Sequence, residues 1–242
     1  MLSGLAFSTK MVGDFETAEV AYGVLVKQIA TNSQLGSVDS ARVYFNYGQL
    51  RRSLGDPVRG IGLLQKAEDS LAPVKDEEPL IWCGIEVELA RLEQETADLD
   101  AATRRIIRLV EFMKLMDRGD ESLTTKICIH AAAVCVECKQ LDFAHQVFDA
   151  YQPYIRRDGV ADDHLTFACA YLARILLLEE NVDAAQWMID ILKKKDVSKS
   201  DPDVQIAVHV ALASYYEAQQ EVLSELSERS LAAQVRLARI KR

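Results

Sequence analysis

The sequence has few chain-breakers, with 11 Gly and 5 Pro in 242 residues. An all-β fold needs frequent Gly- and Pro-bearing turns, so this scarcity argues against one. Aromatic residues are sparse, at 7%. Basic residues are outnumbered, 28 Lys and Arg against 37 Asp and Glu, for a formal net charge of -9. Affinity for nucleic acid rests on Lys and Arg neutralising phosphates, so no direct nucleic-acid binding is expected. Long apolar runs are missing too. The most apolar stretch, Phe167–Leu178, is interrupted by Arg174 and falls short of the ~20 residues of a membrane span. Met1–Lys10 lacks the basic start and the apolar run of a signal peptide. Five cysteines, odd in number and irregular in spacing, form no disulfide framework and suit a reducing compartment. A cytoplasmic location is the expectation, with a nuclear one left open.

Catalytic signatures are absent as well. There is no Gly-rich phosphate loop, no H-E-x-x-H and no G-x-S-x-G. Asp98 with Asp100, and Asp162 with Asp163, read as charges at helix N-termini rather than paired catalytic carboxylates. The sequence therefore reads as that of a non-enzyme, and no cofactor is expected.

What is present is helix-forming composition in a repeat. Hydrophobic residues make up 49% and charged residues 27%, a globular balance, and Ala, Leu, Glu, Gln, Lys and Arg dominate. Gly13-Asp14-Phe15-Glu16-Thr17-Ala18 is echoed 42 residues on by Gly55-Asp56-Pro57-Val58-Arg59-Gly60. Further echoes begin at Ala97, Lys139 and Glu180, and a degenerate one at Gln220. Five positions after each turn comes a small residue, then a bulky one four later: Ala18/Tyr22, Gly60/Leu64, Ala102/Ile106, Ala144/Phe148 and Ala185/Ile189. That spacing puts both on one helix face. Before each turn a larger residue precedes a small one: Leu5-Ala6, Tyr47-Gly48, Leu89-Ala90, Ala131-Ala132, Leu172-Ala173 and Leu212-Ala213. Each unit is then a helix A, a short turn and a helix B, with small side chains letting the pair approach. Asp56-Pro57 and Asp201-Pro202 place an N-cap before a Pro at the first helical position, and Glu78-Pro79 does so with a weaker cap. Thr31–Asp39, Val74–Glu78, Arg157–Asp163 and Lys193–Ser200 read as connectors. Self-similarity at this period marks a solenoid. The expected architecture is all-α, a single array over residues 1–242 with repeats near 1–34, 35–76, 77–118, 119–160, 161–200 and 201–242.

These residues resemble the tetratricopeptide repeat. Tyr47, Gly48, Gly55, Leu64 and Ala67 match its large, small, turn and packing positions; Gly13, Ala18 and Tyr22 match in the first repeat, Ala144 and Phe148 in the fourth. The period departs from the family's usual unit of about 34 residues, and units near 42 occur in its kinesin-light-chain type and in sensor arrays of bacterial transcription regulators. The resemblance implies a right-handed superhelical solenoid of about six antiparallel hairpins, with helices A lining a concave groove that holds a peptide or helix of a partner protein.

Positions expected to face that groove are Arg42, Asn46, Gln49 and Arg52 in the second repeat, Glu88, Arg91 and Glu95 in the third, Lys126, His130 and Glu137 in the fourth, and Arg174 in the fifth. Long hydrogen-bonding side chains of mixed sign suit a peptide, and Arg52, Arg91 and Arg174 have the geometry to hold carboxylates bidentately. The family's clamp for C-terminal carboxylates is matched here at Asn46 alone. Ser3, Phe7, Gly84 and Glu88 occupy its other positions, so no such clamp is expected. The function expected is an adaptor or scaffold; the alternative is a sensor or oligomerisation domain of a larger signalling or transcription-regulatory protein, and a homo-oligomer or a place in a larger complex is left open.

Two features invite other readings. Cys135 and Cys138 form a C-x-x-C with Cys128, His130 and His145 nearby. Cys128, Cys135 and Cys138 share one helix, however, whereas zinc sites join loops or hairpins, so core packing is the expectation and no metal is predicted. Trp82 and Trp187 have apolar neighbours at helical spacing and are expected in the core. Val222–Arg242 reads as an amphipathic terminal helix that caps the array or meets a partner.

Overall fold

The computed structural model describes residues 2–31, 36–115, 121–155 and 162–240. Among them there are twelve α-helices, one short 3-10 turn at Ala72–Val74 and no strand. The helices are α1 (Leu2–Met11), α2 (Phe15–Thr31), α3 (Ser37–Ser53), α4 (Pro57–Leu71), α5 (Pro79–Glu95), α6 (Leu99–Leu115), α7 (Glu121–Glu137), α8 (Leu141–Ile155), α9 (Asp162–Leu178), α10 (Val182–Lys193), α11 (Pro202–Ala218) and α12 (Val222–Ile240). Two compact units divide the chain, residues 1–117 with 240–242 and residues 118–239.

Six copies of one turn make the hairpins. In each, the second residue after the helix lies in the left-handed region: Gly13, Gly55, Ala97, Lys139, Glu180 and Gln220, with φ from 57° to 81°. Around Gly55, its N–H donates to the Arg52 carbonyl at 3.0 Å and the Asp56 N–H donates to the Arg51 carbonyl at 2.9 Å. This Schellman pair satisfies carbonyls that a helix end would leave bare. The same two bonds recur at the other five turns; at the fourth, Lys139 N–H meets Val136 at 3.0 Å and Gln140 N–H meets Cys135 at 2.8 Å. The residue that closes the turn is also the N-cap of helix B. Asp14, Asp56, Asp98 and Asn181 each accept from a backbone N–H three residues on, at 3.1 or 3.2 Å. One residue thus ends one helix and starts the next. Ala97, Lys139, Glu180 and Gln220 take up the glycine's conformation without its freedom, at a cost of roughly 1–2 kcal/mol each.

In the first unit, α1–α2, α3–α4 and α5–α6 pair as hairpins, and α2 packs on α3 and α4 on α5. Small residues set the approach: Ala6, Ala18, Gly48, Gly60, Ala90 and Ala102 are all buried. A Cβ on Gly48 would lie 2.7 Å from Leu64 Cγ, and one on Gly60 2.9 Å from Leu92 Cδ1. Glycine is therefore needed where α3 and α4 cross. Tyr22, Leu50, Leu64, Ile85, Leu89, Leu92, Ile106 and Leu109 fill the core.

In the second unit, α7–α8 and α9–α10 pair, α10 packs on α11, and helices A pack in a row, α7 on α9 and α9 on α11. Buried Ala132, Ala144, Ala173, Ala185 and Ala213 take the small positions. Arg229 of α12 reaches Glu217 at 2.8 Å, and His209 meets Glu228 at 2.6 Å, tying α12 to α11.

Two expectations need correction. Trp187 is not core but 64% exposed. It sits seven positions after the left-handed residue, and the residues there in every repeat, Val20, Gly62, Arg104, Gln146, Trp187 and Ser227, are exposed. Ser37–Asp39, read as connector, begins α3; residues 32–35 and 156–161 of the expected connectors lie outside the described residues. Trp82 is buried, its ring centroid 4.4 Å from that of Phe112.

Candidate functional site

The helix-A face of the first unit carries seven of the expected groove residues, and the structure joins several of them. Arg52, with its side chain 8% exposed, lies in α3 and reaches across to α5. Its guanidinium is 2.6 Å from Glu95 Oε1 and 3.7 Å from Glu88 Oε1. Arg91 Nη1 donates to Glu88 Oε2 at 3.2 Å. Glu88 is thus a buried carboxylate shared by two arginines, and the guanidiniums of Arg52 and Arg91 hold carboxylates of their own chain. Gln49 accepts from Lys10 Nζ at 2.7 Å, and Asn46 donates to the Arg42 carbonyl at 2.9 Å. Arg42 is exposed and stands 3.8 Å from Glu78. This face is polar, closely paired and near charge balance.

The helix-A face of the second unit carries the rest. Arg174 donates to both carboxylate oxygens of Glu137 and lies 5.4 Å from the Tyr171 ring centroid. His130 is half-buried, its ring set edgewise on Phe167 with centroids 5.1 Å apart. Lys126 lies on α7, but its side chain is outside the described residues. Ala133, Val136, Phe167 and Ala170 are buried around these groups.

A second charged cluster escaped the sequence reading. Glu68 of α4, Glu86 and Glu93 of α5, and Arg105 and Arg108 of α6 converge on the other side of α5. Arg108 Nη2 donates to Glu86 Oε1 at 2.6 Å and to Glu68 Oε1 at 2.9 Å. Arg105 donates through Nε to Glu93 Oε1 at 2.7 Å and through Nη1 to Glu68 Oε2 at 3.1 Å. Three carboxylates face two guanidiniums, so one negative charge has no counterpart. Burial pushes the fully enclosed Glu86 carboxyl above the ordinary carboxylate range, and the neighbouring Glu68 charge adds to that. Burial opposes ionisation of Glu68 too, but Arg105 and Arg108 outweigh it and hold that group low. Glu93 Oε2 is buried without a hydrogen-bond partner. The sequence held one sign of this cluster: acidic Glu86 and Glu93 fill positions where the fourth repeat has Cys128 and Cys135.

Those cysteines are buried, as is Cys138. Burial, with Cys138 beside it, pushes the Cys135 thiol up to about 12, which leaves it protonated and poor as a nucleophile or ligand. Among the described residues no group of three or more His, Cys, Asp or Glu is arranged to hold a metal, and no helix is long and apolar enough to cross a membrane.

The fold defines an all-α helical-repeat protein. The crystal structure of BtubC (BKLC) from P. vanneervenii is similar to it, with a TM-score of 0.54 and 18% identity, over 98% of this chain and 89% of that one. At that identity the likeness concerns the fold. No family model and no curated protein matches the sequence.

Proposed function

We propose that this chain is a non-catalytic scaffold of the tetratricopeptide type that binds a peptide or helical segment of a partner protein on its helix-A face. The observation that carries the reading is the first unit's helix-A surface. Glu88, Arg91, Arg52 and Glu95 are locked by one another, which fixes their rotamers before any ligand arrives and lowers the entropy lost on binding. Beside them Arg42 is exposed and Asn46 and Gln49 are half-buried, offering amide and guanidinium contacts to a segment laid across the helices. Because Arg52 and Arg91 already hold carboxylates, the segment is not selected by an acidic terminus. The free thiols suit a cytoplasmic or nuclear setting.

Selection of binding segments from a peptide library, followed by titration of a labelled binder, tests this. Asn46→Asp with Gln49→Glu is expected to weaken binding about tenfold or more, the equivalent of about 1.4 kcal/mol. Affinity unchanged within about twofold would remove the helix-A face of this unit as the site.

A further inference from the structure

We propose that Glu68, Glu86, Glu93, Arg105 and Arg108 form a proton-operated latch: the cluster holds one proton, and its loss loosens α5 from α4 and α6 and disturbs the helix-A face that α5 carries. Three carboxylates meet two guanidiniums there, so with every group ionised one negative charge is left inside the protein. Glu86 is fully enclosed and Glu93 nearly so, and neither can spread that charge into water. A buried carboxyl beside another carboxylate takes up a proton rather than stay charged. The orphaned Glu93 Oε2 marks the same excess of acceptors over donors. Glu68 gives the proton its place, since it accepts a hydrogen bond from the Glu86 carboxyl. It is also the cluster's opening to water, its side chain 24% exposed, beside half-exposed Arg108.

Facing Glu86 are Glu68 from α4, Arg105 and Arg108 from α6 and, on α5 itself, Glu93. Lys75, past the 3-10 turn, stands over the Trp82 ring, 5.9 Å from its centroid. On the other side α3 meets α5 through Arg52, at Glu88 and Glu95. Glu88 is two positions from Glu86, and Arg91 two from Glu93, about 200° round the helix. α5 thus carries the latch on its back and the Arg52–Glu88–Arg91 pairing on its front. Without the proton, the excess charge is relieved by admitting water between α5 and its neighbours, and α5 shifts. Hydrogen bonds weaken steeply as their geometry degrades, so a small shift undoes the bonds that Arg52 makes across to α5. Burial holds the Glu86 proton above the usual carboxylate range. The latch is therefore closed at acidic pH and opens as pH rises through the value at which Glu86 ionises in the folded chain. Its effect on binding rests on the helix-A face being the ligand site; the latch itself does not.

Infrared spectroscopy of the full chain reads the proton directly. At a pH where exposed carboxylates have ionised, a carboxylic-acid C=O band is expected to remain, to vanish as pH rises further, and to be missing from Glu86→Gln. Glu68→Gln leaves two carboxylates for two guanidiniums and is expected to lose the band at a lower pH than the parent. Circular dichroism checks that the helices persist in both. Trp82 lies one turn before Glu86, against Phe112 and Arg108 of α6, and reports the opening. With exposed Trp187, the other tryptophan, changed to Phe, Trp82 emission is expected to move to the red as the band disappears, and to stay in place in Glu86→Gln. A binder of the helix-A face is expected to weaken about fivefold or more across the same transition, with no such loss in Glu86→Gln. No acid band in the parent, a band that survives Glu86→Gln or is unmoved by Glu68→Gln, or Trp82 emission that ignores the loss of the band overturns the proposal. So does binding that stays constant across the transition. A chain that binds no peptide on this face ends the peptide reading alone, because the band and Trp82 decide the latch without a ligand.

Discussion

In the third hairpin, Glu86, Glu93 and Arg105 meet in a buried ionic cluster; in the fourth, the same three repeat positions hold Cys128, Cys135 and Val147, all buried and apolar. The helix-A faces differ likewise. Arg52 and Arg91 in the first unit correspond to Val136 and Ala133 in the second. The same hairpin therefore closes around charge in one unit and around small apolar groups in the other. The lesson concerns what the repeat requires. Backbone turns and small residues at the crossings recur throughout, while the remaining core positions accept either small apolar groups or a cluster in which two arginines face three carboxylates. It also accounts for the cysteines, which stand where the neighbouring hairpin keeps its ionic cluster and serve there as small hydrophobes.

The largest expected break in this comparison is Arg105→Val. It strips buried Glu93 of its partner and leaves Glu68 and Glu86 with Arg108 alone, and should destabilise the protein by about 3–5 kcal/mol, read as a lower midpoint in urea. Moving the fourth hairpin's solution into the third, with Glu86→Cys, Glu93→Cys, Arg105→Val and Arg108→Ala together, and with Glu68→Val so that no carboxylate is left without its arginines, should recover that loss or exceed it by about 1–4 kcal/mol, since apolar packing replaces buried ions. If the combined variant is as unstable as the single one, the two solutions are not interchangeable.

A pH series sharpens the same contrast. Glu86 is raised from its ordinary 4.5, so the folded state holds its proton more tightly than the unfolded chain. The stability this gives is present below about 4.5 and is lost as pH rises until Glu86 ionises in the folded state. Glu86→Gln does not titrate, so its stability relative to the parent should climb with pH above 4.5. Cys128→Ser at the matching position of the second unit should show no such trend over the same range.

Tyrosines give a smaller test. Tyr22 has a buried hydroxyl without a hydrogen-bond partner, and burial pushes its pKa up to about 12. Tyr215 donates its hydroxyl to Gln186. Tyr22→Phe should leave the melting temperature unchanged or raise it, whereas Tyr215→Phe should cost about 1 kcal/mol. The turns give a gain of similar size. Lys139→Gly relieves a left-handed lysine and should stabilise by about 1 kcal/mol, while Gly55→Ala at the equivalent turn should destabilise by a comparable amount.

Much of this fold could be read from the sequence, because the turns and crossings recur in register. Ala97, Lys139, Glu180 and Gln220 carry no sign of a left-handed turn by themselves; their distance from Gly13 and Gly55 supplies it. Trp187 was misjudged for the opposite reason. Its apolar neighbours suggested burial, but its place in the repeat is one that Arg104 and Gln146 also occupy, on the exposed side. The helix-A residues could be named from spacing, yet their pairings could not. Arg52 finds Glu95 43 residues away, and Arg105 finds Glu68 37 residues away. Local pattern does not encode which long side chains will meet across helices, only that they share a face.

Photo-crosslinking in the native cell tests the functional account most directly. A photoreactive side chain replaces Gln49 on the helix-A face of the first unit, and in a second variant Val58, which is exposed on helix B of the same hairpin. The account predicts a protein adduct at position 49, mapped by mass spectrometry to one short segment of its partner, and none of that partner at position 58. The same partner captured at position 58 and not at 49 would contradict it.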